Sequence, residues 1–261
     1  MARYTINGAE YPSVTEILGL RDKSDALIGW ATGLVGKRIR ELAHDDGADT
    51  YIVTGEQIDE AVKSFRAVQQ EALDIGSAVH NAIEQHVKHG REPGALPDQA
   101  KNGYDAFLAW ERDHHVVWLE SEAPVVNDLM GYAGTLDALA EVDGVPMLVD
   151  FKTSKSIYPE YWMQAAAYRV ARLSMEGRYN LVGPDGSAYS RVYNPVHAID
   201  ALGILRVDKL TGLPDWQIKT DPEWIRRRYD AFDALLRYYY LEADRKLAGN
   251  VIAKSIREAY K

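Results

Sequence analysis

The stretch from Gly134 to Thr153 carries the clearest chemistry in the chain. Two runs of alternating residues flank Asp143-Gly144, with Asp137 on the first and Asp150 and Lys152 on the second. Read as a two-residue turn, Asp143-Gly144 pairs Val142 with Val145, and that register sets Asp137 directly opposite Asp150. Their Cβ atoms would stand ~5 Å apart on one face. Lys152, two residues past Asp150, shares the face and lies opposite Thr135. Like charges opposed on a sheet destabilise it unless something offsets them. A divalent cation does so, and oxygen ligands at this spacing suit Mg²⁺ or Mn²⁺. The other face of the second run, Val145, Met147, Val149 and Phe151, is apolar and is expected to pack on the core.

Two helical pairs adjoin this hairpin. Gln164 and Tyr168 stand at i, i+4 and share a face with Tyr161 and Arg172, on a segment entered directly from the second strand and therefore near Lys152. Upstream, His80 and Glu84 repeat the i, i+4 spacing in Gly76–Glu84. The remaining histidines, His44, His86, His89, His114, His115 and His197, are read as ordinary hydrogen-bonding residues. Two basic runs could meet phosphate: Arg226, Arg227 and Arg228 at the start of a helix, and Lys37, Arg38 and Arg40 at the end of another. Each run wraps around its helix, so at most two of three point one way. Tyr238, Tyr239 and Tyr240 likewise cannot all face one partner, and core packing or an oligomer contact suits at least two of them.

The elements that must position these groups are legible in outline. Asn7-Gly8 joins Tyr4–Ile6 to Ala9–Tyr11 as a hairpin, because Asn-Gly accepts the positive φ of a type I′ turn. Ser13 with Glu16 has capping-box spacing and opens a helical turn. Leu27, Trp30, Ala31, Leu34 and Val35 define one face of a helix ending near Leu42. A polar amphipathic helix runs from Glu56 to about Leu73, is interrupted at Asp74-Ile75-Gly76, and continues from Ser77 to His89. Asp98–His115 is helical. Val116–Val126, Gly134–Val142 and Val145–Thr153 read as strands. A helix follows over Tyr158–Met175, with Pro159 tolerated in its first turn. Gly183–Gly186 is a turn. Strands are expected near 188–194, 201–208 and 214–219, and Asp221-Pro222-Glu223 opens a last long helix. This order describes one α/β domain with helical additions.

Composition bounds the reading. The 261 residues carry 30 basic and 39 acidic side chains and no cysteine, for a net charge of −9. Without cysteine there is no disulfide, zinc–thiolate site, thiol nucleophile or cysteine-ligated iron–sulfur cluster. No apolar run approaches the ~18 residues of a membrane span, and the N-terminus lacks a signal-like core. The charge is uneven: residues 44–205 hold a net −13, against +1 before and +3 after. A general nucleic-acid coat is excluded, whereas local contacts from the two ends are not.

Taken in order, Gly76-x3-His80, Gly134-Thr135-Leu136-Asp137, Asp150-Phe151-Lys152-Thr153 and Gln164-x3-Tyr168 resemble the PD-(D/E)XK nuclease superfamily. They are most similar to RecB-like nuclease domains and related phage exonucleases. The segment Tyr11–Leu18 and the later Trp30 also look like the opening of phage-encoded members. The resemblance implies a restriction-endonuclease-like core, a mixed central sheet flanked by helices, with helical additions at both ends. It divides the single nuclease domain 1–261 into a mostly helical 1–75, a core 76–220 and a C-terminal helix 221–261. It implies that His80, Asp137, Asp150 and the Phe151 carbonyl hold Mg²⁺ or Mn²⁺, with Glu84 and Glu122 each either a partner that supports a ligand or an outer ligand for a second ion. Lys152 would orient or deprotonate the attacking water, or act purely as a cation. Gln164 and Tyr168 would position Lys152 and contact DNA, and Arg226–Arg228 would add DNA contacts.

The activity so implied is a metal-dependent deoxyribonuclease, an exonuclease of phage-type recombination, repair or DNA degradation. A structure-specific endonuclease and a non-catalytic DNA-binding or assembly subunit are the alternatives. DNA is the expected partner, with a recombination or single-strand-binding protein as a second and no membrane. An oligomer is compatible with all of this, and a cytoplasmic site is expected (the host cytoplasm for a phage-encoded chain). The resemblance departs from the CRISPR-adaptation branch, which carries iron–sulfur cysteines, and from fused helicase–nucleases, since no helicase motif is present.

Overall fold

The computed structural model describes residues 3–21, 24–45, 51–196 and 198–242. In chain order they form β1 (Arg3–Ile6), β2 (Ala9–Pro12), α1 (Val14–Leu18), α2 (Ser24–Leu42), β3 (His44–Asp45), β4 (Tyr51–Ile52), α3 (Gly55–His89) and α4 (Asp98–Asp113). There follow β5 (Val116–Asn127), β6 (Tyr132–Val142), β7 (Val145–Lys152), α5 (Pro159–Leu173), β8 (Gly177–Val182), β9 (Ala188–Tyr193), β10 (Ala201–Val207), β11 (Pro214–Lys219) and α6 (Pro222–Glu242). His197 and the end of the chain beyond Glu242 lie outside the described residues, as does the side chain of Leu27.

Local signals account for several boundaries. Asn7 and Gly8 both take positive φ, 49° and 84°, and Asp143 and Gly144 repeat this at 51° and 82°, so both hairpins close through the left-handed pairs their sequences favour. Ser13 caps α1 by accepting from the Glu16 backbone N–H at 2.9 Å. The expected break at Asp74–Gly76 does not occur: α3 is one helix of 35 residues. A glycine inside a helix costs only about 1 kcal/mol, and the good helix formers on both sides of Gly76 outweigh it.

The chain is α/β. A five-stranded sheet runs β11-β10-β7-β6-β5, and a four-stranded one runs β2-β1-β8-β9. β10 and β7 are parallel, whereas the other neighbours in the larger sheet are antiparallel, so it is mixed. β8 is a strand that the local pattern of Gly177–Val182 did not reveal, because its partners, β1 and β9, include one from the far end of the chain. α5 packs on β5, β6, β7 and β10, and α4 on β10 and β11. Among the described residues, no helix is long and apolar enough to cross a membrane.

The described residues fall into two compact units, with boundaries after Leu20 and after Ala78. The first 20 residues therefore group with both sheets rather than with the helices that follow them. In the smaller unit, Gln57 of α3 donates to the Leu42 carbonyl at 2.8 Å, and Arg38 of α2 meets Glu60 at 2.6 Å. In the larger unit the principal core lies under α5 and α6 and includes Leu136, Leu148, Leu202, Ile204, Phe232 and Leu236. A second aromatic cluster joins α4 to the sheet through Phe107, Trp110, Trp118, Phe151 and Trp216. Phe151 thus packs on the core as its apolar face required. Asp150, on the opposite face, is fully buried as well.

Candidate metal centre

The β6–β7 ladder runs from Val142 opposite Val145 to Ala138 opposite Val149, in the register the Asp143-Gly144 turn dictates. There the two strands part. β6 continues beside β5 and β7 beside β10, and the Asp137 side chain takes up the interrupted ladder by accepting the Phe151 backbone N–H at 2.7 Å. Asp137 therefore sits at the fork of the hairpin, with one oxygen committed to the backbone and the other available.

β5 supplies a group whose role the sequence left open. Its register against β6 slips at Leu119: Trp118 faces Ala140, yet Glu120 faces Leu139. A one-residue bulge turns the side chains beyond it to the other face. Ser121 then lies opposite Ala138 and Ala123 opposite Leu136, which leaves Glu122 across from Asp137. Glu122 also has φ of 44°, a left-handed conformation costing about 1–3 kcal/mol in a residue with a side chain. The result is a cluster in which His80, Glu122 and Asp137 each offer a ligand atom within 4.8 Å of the others. His80 Nδ1 is 4.0 Å from Asp137 Oδ2, and the His80 ring also hydrogen-bonds the Phe151 carbonyl.

Asp150 is placed differently. Its carboxylate turns to Lys152, whose Nζ lies 2.6 Å from Oδ2, while Oδ1 is buried with no hydrogen-bond partner. Lys152 is in turn held under the ring of Tyr161, 5.1 Å from its centroid. On α5, Gln164 donates to the Tyr168 hydroxyl at 3.0 Å. Tyr168 lies against Gly134, where any Cβ would come within 2.3 Å of the ring. The glycine of the Gly134–Asp137 motif is thus a seat for the tyrosine of the Gln164–Tyr168 motif. Glu84 pairs with Lys88 at 2.6 Å and faces Glu122 across a cleft of about 490 Å³, also lined by Thr135, Asp185 and Arg191. Arg226 and Arg227 close on Asp230 and Glu223 along α6, and Arg228 rests on Trp224.

The electrostatics follow from crowding acids in a dry place. Burial, Asp137 and Glu84 together push the Glu122 carboxyl up to about 8. Burial and Asp137 also raise Asp150, against the pull of Lys152. Burial lowers His80 despite Asp137. For Lys152 burial acts downward, but Asp150 and Asp137 outweigh it and hold the group above its ordinary value. The shift of Lys152 is thus upward, opposite to the depression that a general base would need.

His80, Glu122 and Asp137 bring together one imidazole and two carboxylates, a set of groups that could hold a metal ion. Asp150 Oδ1 is buried with no hydrogen-bond partner, and the raised Glu122 carboxyl is driven toward its neutral form beside Asp137. Such an ion would be held by His80, Glu122 and Asp137, with the Phe151 carbonyl and Asp150 beside them. A scan against models of known protein families and a search of curated proteins found no match to the chain.

Proposed function

We propose that this protein is a metal-dependent deoxyribonuclease with a restriction-endonuclease-like core, of the RecB-like and phage-exonuclease kind. The single observation that carries the reading is the fork of β6 and β7. It gathers His80, Glu122 and Asp137 within 4.8 Å beside a buried Asp150–Lys152 pair. Mg²⁺ or Mn²⁺ bound there supplies a Lewis acid for the scissile phosphate and the attacking water.

The protein's own groups do the rest. Lys152, kept cationic by Asp150 and Asp137, offsets charge building on the phosphate oxygens and orients the nucleophile. Tyr161 and the Gln164–Tyr168 pair fix α5 against the hairpin and so hold Lys152 in place. Asp137 bridges the two strands at the fork through its bond to Phe151. Exonucleolytic action in phage-type recombination or repair, on DNA in the cytoplasm, is the form of the activity we favour.

Asp150→Ala and Lys152→Ala are each expected to lower Mg²⁺-dependent digestion of linear DNA by ~1,000-fold or more, with the circular-dichroism spectrum unchanged. Undiminished digestion by either folded variant would overturn the assignment. Closed circular DNA run alongside separates the two enzymatic forms: an exonuclease leaves it intact, and a structure-specific endonuclease nicks it.

A further inference from the structure

The start of α5, together with its N-cap residue Tyr158, carries aromatic rings leading away from Lys152. Tyr161 lies over the ammonium at 5.1 Å, and Tyr158 stands edge-to-face against Tyr161 at 5.6 Å. Tyr158 is 41% exposed and so offers a ring to solvent. Trp162, the next residue, meets Trp224 of α6 at 5.4 Å. Two cations complete the row. Lys219, at the end of β11, lies 5.8 and 5.5 Å from these two indole rings, and Arg228 lies 4.8 Å from Trp224.

These cations differ from their neighbours on α6. Arg226 and Arg227 are closed by Glu223 and Asp230. Lys219 and Arg228 have no carboxylate within ion-pair distance among the described residues, and Arg228 Nε is buried without a hydrogen-bond partner. An indole face holds a cation in place without cancelling its charge. Core packing alone needs neither an exposed tyrosine nor two unpaired cations. Rings interleaved with free positive charge suit an unpaired nucleic-acid strand, whose bases stack and whose phosphates seek cations.

We infer that this row is a subsite for single-stranded DNA. Tyr158, backed by Tyr161, stacks the nucleobase next to the phosphate at Lys152, and Lys219 and Arg228 take phosphates further along. Only the placement of the scissile phosphate rests on the function proposed above. The substrate end that reaches the centre is then frayed to a single strand.

The test is fluorescence-anisotropy binding of a labelled 12-nucleotide single-stranded DNA to the full chain in EDTA, across a salt series. Tyr158→Ala is expected to weaken binding by about fivefold or more at an unchanged salt slope, and Tyr158→Phe to retain it. Lys219→Ala with Arg228→Ala is expected to reduce the slope of log K against log salt by about 1.4. If that double variant melts early, Lys219→Gln alone, with a slope loss of about 0.7, serves the same purpose. Wild-type binding by Tyr158→Ala, an equal loss in Tyr158→Phe, or an unchanged slope overturns the subsite. A wild type that binds the oligonucleotide yet never cleaves DNA in Mg²⁺ sinks the nuclease and leaves the subsite standing. One that cleaves duplex but does not bind the single strand does the reverse.

Discussion

Glu120 and Glu122 lie two residues apart on β5, and both carboxylates are largely buried, yet they meet opposite fates. Glu120 accepts from Arg172 Nε at 3.0 Å and Nη2 at 2.5 Å, with Arg191 3.7 Å away. Arg172, only 1% exposed, spends its remaining donors on the Asn194 and Met175 carbonyls. Glu122 faces Asp137, His80 and Glu84 and is pushed up to about 8. A buried charge that serves the fold is given its countercharge by the fold. A carboxylate pressed against other carboxylates in a strained backbone conformation has no such partner and is driven toward its neutral form.

The contrast can be broken at either end. The largest effect is expected from Arg172→Ala, which leaves Glu120 buried without its main partner. A loss of about 3–5 kcal/mol, read as a fall of about 10 °C or more in melting temperature, is expected. A smaller loss would mean that Arg191 takes over, and the additional variant Arg191→Ala would show it. Next, Mg²⁺ or Mn²⁺ at about 100 times its dissociation constant is expected to stabilise the wild type by about 2.7 kcal/mol. Asp137→Asn should show no such shift, and a thermal melt with and without metal measures both.

Glu122→Gln acts in the opposite direction to Arg172→Ala in metal-free protein. The Glu122 carboxyl keeps its proton to about 8 in the fold but loses it near 4.5 when unfolded. Native stability from this group is therefore present below pH ~4.5 and drains away as pH rises to ~8. The glutamine variant escapes that loss. It should melt several degrees above wild type near pH 9 and about equally near pH 4.5, while binding metal more weakly. Equal melting at both pH values would show that Glu122 is compensated after all. The smallest change is Arg227→Ala, whose exposed pair with Glu223 at 3.0 Å is expected to matter by about 0.5 kcal/mol or less in a urea melt.

Much of the centre was legible because it rests on short-range rules. Asp143-Gly144 is a turn in any context that permits it, and the period of two carries the register back to Ala138 and Val149 without further information. Asn7-Gly8, the Ser13 cap and the helix bearing Gln164 and Tyr168 follow equally local preferences. The groups that escaped are set by partners far along the chain. β8 pairs along its length with β9 but also takes β1, from the far end of the chain, as its second neighbour, and Arg172 shares a helical face with Gln164 in the sequence while its actual partner is Glu120. Nothing around Leu119 announces a bulge, so nothing in the sequence says that Glu122 turns toward Asp137. The continuous α3 is the reverse case, a local glycine signal too weak to break a strong helix.

The sequence by itself determined the hairpin, the face shared by Asp150 and Lys152, the helix that follows it and the absence of any cysteine chemistry. These depend on backbone period and residue type, which act over a few positions. Only the tertiary structure decided that the strands part at Asp137, that Asp150 is fully buried against Lys152, and that Glu122 rather than Glu120 is left without a countercharge. Burial and charge compensation are sums over every neighbour in space. A one-residue slip in strand register turns every side chain beyond it to the other face, and that is what sets Glu122 across from Asp137.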